Sequence, residues 1–566
     1  MHEDRTKPAA ISGEARLVAR GSVLNIVAMS LGAALGFALT VVVSRWLQPS
    51  QTGALFELVA LFTILSNTLE LGADTGLTRW ISQARAVGGL AQVRRIVAIA
   101  HVPVLILGTV AAAAVWVAAP ALAHTFLHGM NPAAAAADIR IVAPLVPLGA
   151  LSACALAGAR GFGRMWPYLA VEGFGKPALR LGLIFVALIA GWGLRGAVIA
   201  WSLPVVAGLA AGWLILAELI KAETRGAGHL LEPRADARQG RATANARHRV
   251  AGGRGHRERG RGRHRAPPSH PSVRLPGGRL AAEFWRFAAP RGFAGTFQIV
   301  VVWLNILLVG ALVSRYAAGI YAAASKLALV GTFALEGTRL SIAPHLSALL
   351  ARGERLRAAN LYQSATRWLM LASWPVYVVF AIFPQVVLGI FGPRYAAGAA
   401  ALVVLSLAML INLGTGNVTV VLLMGGKSSW NLVNTLAALA VNIGLNLLLL
   451  PHIGVTGAAI AWAASIVVDN VAAVIEVWWM LGLAPFGRGY GLLVAAAVGC
   501  FGITGVTARV LLGETLPALV AATAVGLAAY VAIAYVARAR LQLPELSTVL
   551  GLHRQAGAGQ PRQQAA

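Results

Sequence analysis

The stretch Gly454-Val-Thr-Gly-Ala-Ala-Ile-Ala-Trp462 decides how this chain is interpreted, because it repeats an earlier stretch. The earlier copy is Gly193-Leu-Arg-Gly-Ala-Val-Ile-Ala-Trp201, and both follow the pattern G-x-x-G-A-x-I-A-W at an offset of 261 residues (193 to 454). Two weaker matches keep the same order: Leu181–Leu183 with Ile443–Leu445, and Gly53 with Gly319. Internal duplication in a membrane chain is typical of transporters, whose substrate route runs between the halves.

The composition places the chain in a membrane. Hydrophobic residues make up 58% of it and charged residues 12%, and the mean hydropathy is +0.73; a soluble domain carries about 25% charged residues. Because a helix needs roughly 20 apolar residues to cross a bilayer, the sequence predicts 14 spans. They are 22–44, 54–72, 96–119, 139–158, 167–191, 196–220, 284–313, 317–347, 368–391, 397–424, 430–450, 455–481, 489–512 and 516–537. The absence of strand alternation favours an all-α polytopic membrane protein over a barrel.

The distribution of Lys and Arg predicts the orientation. One set of alternate loops carries most of these residues, whereas the other set carries about one each: Arg45, Arg195, Arg315, Arg394 and Arg509. Basic loops stay on the cytoplasmic side, so both termini are expected there, in a bacterial cytoplasmic membrane. Six spans precede the repeat, and the two halves should therefore share one orientation. The two cysteines, Cys154 and Cys500, are expected to be small buried side chains without a disulfide or metal role.

The predicted organisation has six parts. They are a cytoplasmic N-terminus (1–21), an N-lobe of spans 1–6 (22–220), a linker (221–282), a C-lobe of spans 7–12 (283–482), spans 13–14 (483–540) and a cytoplasmic tail (541–566). The linker holds 15 of the 47 Lys and Arg residues of the chain and has little to bury, which predicts disorder near anionic headgroups. A reading-frame artefact in this stretch stays open. Nucleic acid is not expected as a partner, since aromatic residues for base stacking are absent there.

Ionisable residues inside apolar spans are the candidate site residues, because burying them in a bilayer is costly. Span 5 carries Glu172, Lys176 and Arg180 at a spacing of four, which places them on one helix face. The stripe is interpreted either as a cationic cavity lining or as an internal salt bridge with a snorkelling arginine. Glu336 and Arg339 of span 8 are likewise either site residues or a structural ion pair.

A positively lined cavity suits an anionic headgroup such as a phosphate or pyrophosphate, and buried carboxylates suit coupling to an ion gradient. The substrate-binding candidates are Arg180, Arg291, Lys326, Arg339, Lys176 and Asn305. The ion-coupling candidates are Glu57, Glu172, Glu336 and Asp469. The sequence has no nucleotide-binding loop or nucleophile triad, so we expect a protein that is not an enzyme, with no catalytic residue, cofactor or metal.

Several stretches together resemble the polysaccharide transporter (O-antigen flippase) branch of the multidrug/oligosaccharidyl-lipid/polysaccharide (MOP) exporter superfamily. They are Arg20–Asn25, Ser44–Gly53, Glu70-Leu-Gly-Ala-Asp74, Ala318–Lys326, Ile342–Ser347 and the repeat ending at Trp462. The resemblance covers about 16–485 apart from the linker. Relatives often place Asp where this chain has Asn305, which puts an acidic role at that position in doubt.

The resemblance implies two six-helix lobes in a V that alternate access to the two sides of the membrane. It implies a lipid-linked oligosaccharide, carried on undecaprenyl pyrophosphate, as the substrate that is flipped outward for lipopolysaccharide or other surface polysaccharide biosynthesis. Membrane lipids are expected partners, and other polysaccharide-assembly membrane proteins are an open option. Two alternatives remain: a cation-coupled multidrug exporter of the same superfamily, against which the basic stripes count, and a membrane polysaccharide polymerase or ligase, against which the short outer loops count.

Overall fold

The computed structural model describes residues 30–86, 92–127, 129–247 and 277–537, and in these ranges the chain is helical with no β-strand. The all-α polytopic fold predicted from the composition is therefore confirmed. The predicted N-terminal segment 1–21, the tail 541–566 and part of the linker, 248–276, lie outside the described residues.

The chain divides into two compact units. Unit 1 comprises the described residues before Gln48 together with Ala54–Ala311, and unit 2 comprises Gln48–Gly53 and the described residues from Leu312 onward. The helix of the seventh predicted span thus packs with unit 1, and the start of the second packs with unit 2. The predicted lobe boundaries and the V arrangement stay predictions.

The helices of unit 1 follow one another with short connections. They are α1 (Ser30–Trp46), α2 (Pro49–Leu69), α3 (Ala73–Ala86), α4 (Val93–Phe126), α5 (Pro132–Val142), α6 (Leu145–Gly161), the single turn α7 (Trp166–Tyr168), a π-helix (Leu169–Gly175), α8 (Lys176–Ile189), α9 (Gly193–Arg247) and α10 (Gly277–Leu312). Helix α9 continues through the first 27 residues of the predicted disordered linker, Lys221–Arg247.

Unit 2 has the same all-helical construction. Its helices are α11 (Arg315–Ala328), α12 (Thr332–Ala351), α13 (Arg355–Ile382), α14 (Pro384–Leu388), α15 (Ala399–Gly414), α16 (Val418–Met424), α17 (Ser428–Leu481), α18 (Tyr490–Ala497), α19 (Thr504–Leu512) and α20 (Leu516–Val536). A π-helix, Val498–Ile503, joins α18 to α19. Buried tyrosines connect the helices: Tyr377 donates from its hydroxyl to Ala328 O at 2.6 Å and accepts from Gly331 N at 2.7 Å.

Eleven helices in the described residues are long and apolar enough to cross a membrane, so the predicted number of 14 is not confirmed. Three predicted spans account for the difference. The first is a helix of only 17 residues within the described range, Ser30–Trp46. The fifth is divided between α7, a π-helix and α8, and the eleventh and twelfth run together in α17 across a kink at Gly454.

The first glycines of the two repeated stretches both have a positive φ angle. Gly193 and Gly454 have φ angles of 59° and 54°, a left-handed region that glycine enters at little steric cost. The second glycines are close to residues that precede them: a Cβ at Gly457 would lie 2.8 Å from Leu449 O, and one at Gly196 would overlap the Cβ of Trp192, in the connection between α8 and α9. Each copy is thus a tight junction between two helical segments, and its small residues are what permit the close approach.

Candidate functional site

A charged cavity of about 340 Å³ lies within unit 1. Its polar lining comprises Ser66, Asn67, Glu70, Asp74, Arg160, Tyr168, Glu172, Lys176 and Arg180. Three carboxyl groups and three basic groups face one another in this set. Glu70, Asp74 and Arg160 join the predicted stripe from the α2–α3 turn, from α3 and from α6. A net positive lining of a passage between the two lobes stays a prediction.

The turn between α2 and α3 brings the two acidic residues Glu70 and Asp74 to the cavity. Between them, Leu71 and Gly72 have φ angles of 50° and 75°. The left-handed conformation of Leu71 is unfavourable for a side chain with a Cβ and persists only where the surroundings enforce it. Here α10 enforces it, because a Cβ on Gly292 would lie 2.6 Å from Leu71 O. The carboxylates are therefore held on a rigid turn.

The π-helix between α7 and α8 presents the predicted stripe. Lys176 donates to the carboxylate of Glu172 and, at 3.1 Å, to Ser152 Oγ of α6. The lysine side chain is 8% exposed and that of Glu172 is 30% exposed. Of the two interpretations of this pair from the sequence, the internal salt bridge is the one observed, and it lines the cavity as well. Single π-helical turns are frequent at functional sites.

Arg180 extends the same stripe and carries no carboxylate partner in the described part of the chain. Its guanidinium carbon lies 4.3 Å from the ring centroid of Trp201, the last residue of the first repeat copy. Trp201 is held by an edge-to-face contact with Phe62, whose ring is 5.0 Å away. The Nε atom of Arg180 is buried and makes no hydrogen bond within the described residues. Stacking occupies one face of the guanidinium and leaves its in-plane donors available.

Arg160 balances the acidic turn. It lies 3.8 Å from Asp74 and its guanidinium is 4.9 Å from the ring centroid of Tyr168. Glu70, in contrast, makes no ion pair or hydrogen bond through its side chain within the described residues. The cavity therefore offers two groups that are not locally neutralised, a carboxylate at Glu70 and a guanidinium at Arg180.

The other predicted residues of unit 1 lie away from this lining. Arg291 is exposed on α10, 3.9 Å from the ring centroid of Phe287. Asn305 is fully buried on the same helix and donates to Val301 O at 3.0 Å. Glu57 is 2% exposed and packs against Gly310 beside a small apolar pocket.

The predicted residues of unit 2 do not gather into one site. Lys326 is half-buried on α11. Glu336 and Arg339 of α12 form an ion pair at 3.1 Å, with side chains 40% and 50% exposed. This is the structural ion pair that the sequence left open as an alternative to a role in the site. Asp469 is half-buried on α17, and its Oδ1 atom accepts no hydrogen bond from the described residues. Next to it, Asn470 accepts from Thr415 Oγ1 at 2.6 Å.

Six polar residues of the cavity were not among the predicted site residues: Ser66, Asn67, Glu70, Asp74, Arg160 and Tyr168. Glu70 and Asp74 stand in the stretch Glu70-Leu-Gly-Ala-Asp74, which contributed to the family resemblance, and this was the available signal. Arg160 lies just after the predicted fourth span, outside the apolar runs in which site residues were sought. Its contact with Asp74 depends on the packing of α6 against α3, which local sequence does not contain.

Solved membrane transporters share this architecture at low sequence identity. The lipid II flippase MurJ, in an inward closed conformation, matches with a TM-score of 0.59 and 12% identity over 91% of this chain and 98% of that one. An inward-facing multidrug resistance MATE family transporter of the MOP superfamily matches with a TM-score of 0.55 and 13% identity, covering 81% of this chain and 97% of its own. The chain shares the fold of these transporters. A further MOP superfamily transporter, from Pyrococcus furiosus, matches with a TM-score of 0.51 and 14% identity over 84% of this chain and 95% of that one.

The likeness to these transporters is one of structure and not of sequence. No protein-family model and no curated protein matches the sequence. The neighbours include both a lipid flippase and multidrug transporters, and the polysaccharide transporter branch stays a prediction. Within this fold, the charged cavity of unit 1 is the candidate functional site.

Proposed function

We propose that this protein is a membrane transporter that flips a lipid-linked oligosaccharide, carried on undecaprenyl pyrophosphate, across the bacterial cytoplasmic membrane by alternating access. The observation that carries the proposal is Arg180, whose guanidinium is stacked on Trp201 in the cavity without a carboxylate partner in the described residues. A guanidinium held in this way keeps its planar set of donors for phosphate oxygens. Lys176, one turn away, supplies a second positive charge.

The Lys176–Glu172 pair suits a reversible role in binding. A pyrophosphate that approaches Arg180 and Lys176 competes with Glu172 for the ammonium group. Binding would then shift the lysine away from its carboxylate, while Ser152 continues to accept a hydrogen bond from it. The released carboxylate of Glu172 and the carboxylate of Glu70 are the groups of this cavity that we propose for coupling to a cation gradient. Arg291, Lys326, Arg339, Asn305, Glu57, Glu336 and Asp469 stay candidates from the sequence.

A cation-coupled multidrug exporter is the second candidate, and the acidic turn favours it. Glu70 and Asp74 place two carboxylates in the cavity, which suits a cationic drug. The pocket of the Pyrococcus furiosus transporter is described by its reverse polarity. Pocket charge therefore has to be judged from the residues of each chain and not from the fold.

The test is transport by the full-length protein in proteoliposomes, with two substrates in parallel. One is a fluorescent undecaprenyl-pyrophosphate-linked oligosaccharide, whose movement is followed by its accessibility to an external quencher. The other is a cationic dye. We expect lipid flipping, with a rate that drops at least about tenfold in Arg180→Gln, since removing one partner of a buried charge-assisted contact costs about 2 kcal/mol. Arg195→Gln, at an exposed arginine at the start of α9, is the matched control and should retain the wild-type rate.

Two outcomes would contradict the proposal. Lipid flipping by Arg180→Gln at the wild-type rate would remove Arg180 from the mechanism. Export of the dye without lipid flipping, lost in Glu70→Gln, would replace the flippase with the multidrug exporter.

A further inference from the structure

Two arginines from different helices stack on one phenylalanine outside the charged cavity. The guanidinium carbon of Arg79, on α3, lies 4.1 Å from the ring centroid of Phe287, and that of Arg291, on α10, lies 3.9 Å from it. The two guanidinium carbons are thus no more than about 8 Å apart, since both distances end at one centroid. We call these three residues the arginine clamp.

The two positive charges of the arginine clamp are not compensated by carboxylates of the described residues. Neither guanidinium forms an ion pair within the described residues, and both side chains belong to exposed residues. The single hydrogen bond of Arg291 is a long one from Nη1 to Phe287 O, at 3.3 Å. Two like charges in this arrangement repel each other, and most of their in-plane N–H donors have no acceptor in the protein. A bound anion would relieve the repulsion and accept those hydrogen bonds.

The backbone next to the arginine clamp is closely packed. Gly292, next to Arg291, packs directly on the Leu71–Gly72 turn, where a Cβ would lie 2.6 Å from Leu71 O. One turn into α3, a Cβ at Gly76 would lie 2.5 Å from the ring of Phe284, which is 1% exposed. These two contacts place the start of α3 and the turn before it against α10. A site whose charged groups are already in place loses less entropy when a ligand binds.

The surroundings indicate where the anion comes from. Phe293, two residues after Arg291, is 55% exposed, and Arg286, one residue before Phe287, is exposed as well. Exposed aromatic and basic side chains side by side are typical of the boundary between hydrocarbon and headgroups. At that boundary the abundant anion is the lipid phosphate, and planar guanidinium groups match phosphate oxygens.

We propose that Arg79, Phe287 and Arg291 form a binding site for the phosphate group of a membrane lipid, separate from the charged cavity of unit 1. The arginines provide the hydrogen bonds and charge, and the ring holds both guanidinium groups in position. The site does not depend on which substrate the protein transports. A soluble phosphate could satisfy the same donors, and the experiment separates the two sources.

The test is native mass spectrometry of the purified full-length protein in detergent, titrated with one lipid at a time. Phosphatidylglycerol and a diacylglycerol with the same acyl chains differ only in the phosphoglycerol headgroup, so their comparison isolates the contribution of that anionic headgroup. We expect phosphatidylglycerol to bind and diacylglycerol to bind at least tenfold more weakly. Each arginine removed should weaken phosphatidylglycerol binding about tenfold, a typical value for losing one charge-assisted hydrogen bond, and Arg79→Gln/Arg291→Gln about 100-fold.

Two further variants separate the arginine clamp from general surface charge. Phe287→Leu keeps both charges but removes the ring, and it should weaken binding several-fold. Arg286→Gln removes an exposed positive charge from the same helix without disturbing the clamp, and it should bind within twofold of the wild type. A competition arm with inorganic pyrophosphate assigns the source: lipid that stays bound identifies a lipid headgroup site, and displaced lipid identifies a site for phosphate in either form.

The proposal is overturned if the double arginine variant binds phosphatidylglycerol within twofold of the wild type, or if Arg286→Gln weakens binding as much as Arg79→Gln. It is also overturned if diacylglycerol binds as tightly as phosphatidylglycerol. A monodisperse gel-filtration peak for each variant establishes that it is folded before binding is measured.

Discussion

Gly53 and Gly319, a pair that the sequence repeat relates to each other, are in backbone contact. A Cβ at Gly53 would lie 2.9 Å from Gly319 N, and a Cβ at Gly319 would lie 3.0 Å from Gly53 N. A second pair of atoms shows the same reciprocity. The Cβ at Gly53 would overlap Arg315 O, and the Cβ at Gly319 would overlap Pro49 O. Helices α2 and α11 therefore cross where neither has a side chain, as small residues allow in membrane proteins.

Alanine at either position of this crossing should destabilise the protein. Gly53→Ala or Gly319→Ala forces α2 and α11 apart, which costs about 1–3 kcal/mol for an overpacked site. The measurement is the midpoint of unfolding by sodium dodecyl sulfate in mixed micelles. Gly444→Ala is the control, because nothing lies within 4 Å of a Cβ built there. Equal midpoints for Gly319→Ala and Gly444→Ala would show that the crossing tolerates a methyl group.

The first glycines of the two repeat copies should be equally sensitive for a different reason. Gly193 and Gly454 have open space around a Cβ, or contacts no closer than 3.9 Å, yet their φ angles are 59° and 54°. Alanine there costs about 1–2 kcal/mol of backbone strain. We expect both variants to lower thermal stability, and Gly182→Ala, within α8, to leave it unchanged or raise it. If Gly454→Ala has the thermal stability of the wild type, the kink has relaxed to a helical conformation.

The Lys176–Glu172 pair should contribute more to stability than the Glu336–Arg339 pair. Lys176 is 8% exposed, so Glu172→Gln leaves a largely buried ammonium with weaker compensation, at a cost of about 2 kcal/mol. Glu336→Gln acts on side chains 40–50% exposed and should change stability by less than about 1 kcal/mol. The double variant Glu172→Gln/Lys176→Met should recover part of the loss. The same unfolding assay measures these changes. A larger loss of stability in Glu336→Gln than in Glu172→Gln would contradict the prediction.

Trp201 should matter for anion binding through Arg180. Trp201→Leu removes the ring 4.3 Å from the guanidinium and frees Arg180 to leave the cavity. A desolvated contact of this type is worth up to about 2 kcal/mol, so we expect the affinity for the pyrophosphate lipid to fall by roughly tenfold or more. Trp116→Leu, at an exposed tryptophan of α4, serves as the control. Affinity is measured by microscale thermophoresis. An unchanged affinity in Trp201→Leu would show that anion binding by Arg180 does not depend on Trp201.

Much of the architecture could be predicted because it depends on local composition. The apolar runs indicated an all-α polytopic membrane protein, and the repeat indicated matching halves, whose first glycines do both have a positive φ angle. The predicted number of spans is not confirmed, because helix boundaries in the structure depart from those of the apolar runs. A π-helix interrupts the charged fifth span, and a helix can continue into a basic segment, as α9 does to Arg247.

The candidate site was only partly predictable. Glu172, Lys176 and Arg180 were predicted because their spacing of four residues places all three on one helix face. Glu70, Asp74 and Arg160 were missed because they come from a turn and a helix end brought in by the packing of α3 and α6. Two of the three carboxylates of this cavity, Glu70 and Asp74, come from outside the predicted stripe for the same reason.

The amino-acid sequence by itself determined that this chain lies in a membrane, is helical and is internally repeated, because hydropathy and glycine positions act locally along the chain. Tertiary structure alone decided which charges meet: Arg160 with Asp74, Arg180 with Trp201, and two arginines with Phe287. The physical reason is that the cost of a charge in an apolar span is local, whereas its compensation comes from whichever helix packs beside it.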